Sequence, residues 1–156
     1  MQPAPLSAEA LTETALRIVR SRGSGAEALA EIAGLLASFA TALPRLARGE
    51  RERVLRTEPD GTFLLLQRDY RRGGALQKAE ALDTWRVHAP CSKSADLYVE
   101  EAAPRRLEPG EGAGFAAGTS LLILPVKGSA QLVSLYGIAP EHLPPPRLRR
   151  VCLTRP

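Results

Sequence analysis

Histidine, cysteine, lysine and aromatic residues are all scarce in this chain. Two histidines, His88 and His142, cannot supply a three-histidine metal site within one copy of the chain. Two cysteines, Cys91 and Cys152, form no disulfide framework and no zinc-binding spacing. Lysine occurs only at positions 78, 93 and 127, so the net charge of +4 and the pI near 9.5 come from arginine. One Trp, three Tyr and three Phe leave few stacking platforms for bases. The arginines are scattered from Arg17 to Arg155 and no nucleic-acid motif accompanies them, so they read as a solvated surface and not as a nucleic-acid interface. The longest uncharged apolar stretch runs from Ile32 to Pro44, short of the roughly 20 residues a membrane-spanning helix requires. Met1–Ala10 has no basic region ahead of an apolar segment, so a cytoplasmic location without a secretory signal is expected.

What remains is enough for a packed core. A chain of 156 residues that is 44% hydrophobic and 24% charged is expected to fold as one domain over residues 1–156 without metal or disulfide support. Its organisation is uneven. Residues 7–48 read as two helices. Ser7 is placed to cap the first, with Leu11, Ala15, Ile18 and Val19 on one face. Ser24 and Glu27 have the spacing of a capping box for the second, which carries Leu29, Ile32, Ala33, Leu36, Ala40 and Leu43 and ends at Pro44.

Residues 51–154 read as strands and turns. Strand candidates are Arg53–Glu58, Phe63–Asp69, Thr84–Ala89, Leu97–Glu101, Arg105–Glu108, Ser120–Val126, Gln131–Ile138 and Leu148–Thr154. Glu58-Pro59-Asp60-Gly61 and Pro109-Gly110-Glu111-Gly112 are turns. Helices first and short strands afterwards argue against a parallel βαβ fold and for a mainly β sandwich or barrel behind a helical hairpin.

Three stretches carry a family resemblance. The first is Arg51-Glu52-Arg53-Val54-Leu55, a turn at Asp60-Gly61, then Phe63-Leu64-Leu65-Leu66. The second is Tyr70-Arg71-Arg72-Gly73-Gly74-Ala75-Leu76-Gln77-Lys78-Ala79-Glu80. The third is Leu132-Val133-Ser134-Leu135-Tyr136-Gly137-Ile138-Ala139-Pro140. In order and spacing they resemble the cysteine dioxygenase family of thiol dioxygenases, which belong to the cupins. The resemblance spans roughly residues 25–145 and implies a double-stranded β-helix, or small jelly roll. That family binds iron through three histidines. The corresponding positions here are Lys78, Glu80 and a site near Leu121 or Leu122. Protonated lysine and leucine are not iron ligands, so the resemblance implies a degenerate metal site, with no metal or cofactor expected. Arg53 matches the arginine that the family uses to hold a substrate carboxylate. It is also one of many arginines and could point to solvent.

Other residues divide between functional and plainer readings. Lys78 and Glu80 share strand parity and could form a catalytic acid–base pair inside the barrel or an exposed rim pair. Tyr70 and Trp85 could line the barrel mouth and touch a ligand, or belong to the core. His88 and Cys91 are three apart around Pro90, which places them on opposite faces of a strand and reads as a turn histidine beside a half-buried thiol. The leading expectation is a metal-independent binder of a small carboxylic or amino acid, held by Arg53. The alternatives are a protein-interaction scaffold, which could be a homodimer, and a metal-free isomerase or cyclase using Lys78 and Glu80.

Overall fold

A computed structural model describes residues 6–58, 62–71, 83–100 and 102–142. Helix α1 (Ala8–Arg22) begins where expected: Ser7 is its N-cap and its Oγ accepts from the Ala10 N–H at 3.1 Å. Helix α2 (Ala26–Ala42) departs from expectation at its start. Its N-cap is Gly25 and no side chain caps it, so the Ser24–Glu27 box does not form. The helix starts one residue too late for that spacing, although Glu27 remains in the first turn, where its charge complements the helix dipole. Leu43 ends α2 in an extended conformation, as the residue before a proline prefers.

Eight strands follow among the described residues: β1 (Glu52–Thr57), β2 (Phe63–Arg71), β3 (Thr84–Pro90), β4 (Ala95–Val99), β5 (Arg105–Leu107), β6 (Ala113–Phe115), β7 (Leu121–Pro125) and β8 (Ser129–Ile138). They form a five-stranded sheet in the order β1-β2-β8-β3-β6 and a three-stranded sheet in the order β5-β4-β7, with antiparallel pairing throughout. Strand β6, which follows directly on the Pro109–Gly112 turn, is not among the strands expected from the sequence. Only Gly110 is a turn residue in the left-handed region (φ 94°); Gly112 and Gly114 let β6 lie against α2. A Cβ on Gly114 would stand 2.6 Å from Leu29 Cβ. The expected last strand, Leu148–Thr154, falls outside the described residues.

The large sheet has an apolar face for the helices. Phe63, Leu65, Trp85, Val87, Val133 and Leu135 alternate along β2, β3 and β8 and bury themselves against Leu11, Ala15, Leu29, Ile32 and Leu36. This is where the helical stripe rests. A second core, formed by Leu97, Leu107, Ala113 and Leu121, joins the two sheets. Side-chain amides fasten the chain leaving α2: the buried Gln67 donates through Nε2 to Pro44 O at 3.1 Å, and Leu46 N donates to Gln131 Oε1 at 2.9 Å.

Candidate functional site

The side chains alternating with the helix-facing set point to the other face of the large sheet, toward the three-stranded sheet. Directly paired residues in an antiparallel ladder share a face. One row therefore crosses four strands as Leu64, Tyr136, Arg86 and Phe115. The next is Leu66, Ser134, His88 and Ala113. Arg68 and Tyr70 extend the same face along β2. The result is a polar, basic patch on a face that also carries core residues.

His88 is fully closed to solvent, as is Ser134 beside it. Its Nδ1 lies 2.6 Å from Ser134 Oγ, and its buried Nε2 has no hydrogen-bond partner among the described residues. The Tyr136 ring stands edge-on at 5.7 Å between centroids. Burial, reinforced by the positive charges of Arg86 and Arg68, pushes the His88 pKa down from 6.5 to about 3, so the ring is neutral at physiological pH. The Tyr70 hydroxyl is hydrogen-bonded to Ser134 and Arg68. Burial holds its pKa above the usual tyrosine value, so it stays protonated.

Arg86 is only 7% exposed. Its Nη2 donates to the Thr119 carbonyl at 3.0 Å, and no carboxylate among the described residues pairs with it. Burial lowers its pKa, but a guanidinium remains charged. A desolvated cation without a counter-charge is costly, which makes this the position on the face that most needs an anion.

Arg53 is placed differently from its expected role. It pairs with Gln67, on the helix side of the sheet, and its Nη2 donates to Glu50 Oε1 at 2.6 Å. The edge strand β1 turns this side chain away from the space between the sheets, so the guanidinium cannot grip a ligand there. Trp85 is also on the helix side, wholly buried against Gly137, and is a core residue instead of a mouth residue. Tyr70 does face inward. Lys78 and Glu80 lie outside the described residues, as does the side chain of His142. His88 is not a turn residue; it sits within β3, and the strand sends Cys91 to the opposite face. Burial raises the Cys91 thiol to about 11, which leaves it without thiolate character near neutrality.

Arg86, His88 and Ser134 form the centre of the patch; from the sequence His88 is weighed only beside Cys91, and Arg86 and Ser134 are given no role. A signal was present in Thr84-Trp85-Arg86-Val87-His88-Ala89, where polar and apolar residues alternate. Such a strand has one face in a core and presents the other as a polar surface.

These residues do not fit the iron that thiol dioxygenases carry. Among the described residues no three His, Cys, Asp or Glu side chains gather. The one inward imidazole lies in the field of two guanidiniums, which disfavours a cation and favours an anion.

Comparison with known proteins supports the fold. Neither protein-family models nor curated proteins match the chain. Solved structures do. A cupin superfamily protein from Desulfitobacterium hafniense aligns with a TM-score of 0.50 at 12% identity, covering 64% of this chain and 86% of that one. An RmlC-like cupin with a double-stranded β-helix from Methanocaldococcus jannaschii aligns at 0.48 and 13% identity, covering 62% and 90%. KdgF from a Halomonas species aligns at 0.48 and 13% identity, covering 56% and 78%. At these identities the likeness concerns fold alone. The Desulfitobacterium hafniense likeness and the antiparallel two-sheet topology agree on a cupin-like β-barrel fold behind a helical hairpin.

Proposed function

We propose that the chain is a metal-independent binder of a small carboxylic acid, held between the two sheets by Arg86. The observation that carries this reading is the burial of the Arg86 guanidinium without a carboxylate partner among the described residues. A planar fork of N–H donors matches a carboxylate in shape and charge, and a ligand would supply the missing counter-charge. The second support is the buried, unpartnered Nε2 of His88 two residues away on the same face. The resemblance to thiol dioxygenases implies the same kind of grip, transferred here from Arg53 to Arg86. Calorimetric titration of the purified chain with short carboxylic acids tests the reading. Saturable binding that is lost in Arg86→Met supports it; heats that never saturate would refute it.

A further inference from the structure

The hydrogen bonds on the inward face form a chain whose direction is set at one end. Arginine has donors and no acceptor, so in its contact with Tyr70 the phenolic oxygen accepts from Arg68. The Tyr70 proton is then free to go to Ser134 Oγ. Ser134 in turn directs its own proton to His88 Nδ1, 2.6 Å away. A neutral imidazole that accepts at Nδ1 carries its one proton on Nε2. With Nδ1–H donating instead, Ser134 either donates to Tyr70, which leaves the Tyr70 proton without an acceptor, or accepts from both His88 and Tyr70, which leaves its own proton without a side-chain acceptor among the described residues. An unmade hydrogen bond of this kind is unfavourable in a buried network.

The consequence is that His88 joins Arg86 as a donor on this face. Nε2–H is buried with no partner among the described residues, and Arg86, two positions along the strand on the same face, is a cluster of N–H donors. Their Cα atoms are separated by roughly 6.6 Å, the distance two strand residues cover. A ligand atom that accepts at His88 can therefore belong to a small molecule whose carboxylate is on Arg86. We propose that the site selects a carboxylate with a second hydrogen-bond acceptor close by, a 2-oxo acid or a short dicarboxylate, and rejects α-amino acids. An ammonium group would meet the positive charge of Arg86 and Arg68 and would find a donor where it needs an acceptor. This selectivity rests on the carboxylate reading above and narrows it.

Two measurements on the full chain test the proposal. In a long-range ¹H–¹⁵N spectrum of histidine-labelled protein near pH 7.5, His88 is expected as the Nε2–H tautomer; the Nδ1–H tautomer would overturn the relay. In calorimetry, pyruvate or malonate is expected to bind at least about tenfold more tightly than alanine, since a site built to hydrogen-bond one group rejects a ligand that cannot match it. Alanine binding as tightly as pyruvate and malonate, with that binding lost in Arg86→Met, would overturn the selectivity while leaving the carboxylate reading intact. Binding of none of the three probes would overturn both.

Discussion

His88 Nδ1 and Ser134 Oγ stand 2.6 Å apart across the β3–β8 ladder, and both residues are fully buried. The pair ties the two strands together by a polar contact at a point where neither side chain can reach water. Ser134→Ala is expected to destabilise the fold by about 1–3 kcal/mol, because it strands Nδ1 without a partner. His88→Leu combined with Ser134→Ala removes both polar groups, so the double variant is expected to lose less than the sum of the single losses. Urea midpoints for the four proteins of this double-mutant cycle provide the check.

His88 also gives stability a pH dependence. Its pKa is about 3 folded and 6.5 when the chain is unfolded and solvated. Between those values the unfolded state binds the extra proton, so stability is present above pH 6.5 and is lost as pH falls toward 3. Between pH 6 and 5, before most carboxylates titrate, the slope from this one group approaches about 1.4 kcal/mol per pH unit. Urea unfolding across that interval is expected to show this slope in the wild type and a flatter profile in His88→Gln.

Gly137 tests the packing on the other face. It pairs with Trp85, and a methyl at this position would overlap the buried indole. Gly137→Ala is expected to cost about 1–3 kcal/mol through overpacking. Emission from the only tryptophan in the chain reports the result, moving to longer wavelength if the indole is forced toward solvent. An unchanged spectrum and midpoint would mean that the sheet moves enough to admit the methyl.

The helical hairpin and seven of the eight described strands are legible in the sequence because they rest on apolar periodicity and turn residues. Strand β6 is not. It is three residues long and built on glycines whose purpose is the approach to α2, a tertiary contact that a local pattern cannot express. The candidate site is legible only in part. Tyr70 faces inward, but the choice of Arg53 over Arg86 depends on which face of the sheet each strand offers. That is a matter of register: Arg53 pairs with Gln67 and Arg86 with Tyr136, and these partners lie on opposite faces. A one-residue difference in parity decides between a surface ion pair and a buried cation.

Arg53 and Arg86 should therefore behave oppositely. Arg53→Ala breaks an ion pair with Glu50 on the far side of the sheet and is expected to leave both stability and carboxylate binding at wild-type levels. Arg86→Met replaces a buried charge with an apolar chain of similar length. It is expected to leave the ligand-free fold at least as stable as the wild type, because it removes a desolvated cation that has no carboxylate partner among the described residues. Thermal midpoints of the ligand-free proteins separate these outcomes.

The most direct test of the inward arginine as a carboxylate anchor is one calorimetric comparison of pyruvate binding by the wild type, Arg53→Ala and Arg86→Met. Binding preserved in the first two and lost in the third is the expected result. Pyruvate bound equally by Arg86→Met and the wild type, or lost in Arg53→Ala and retained in Arg86→Met, would contradict it.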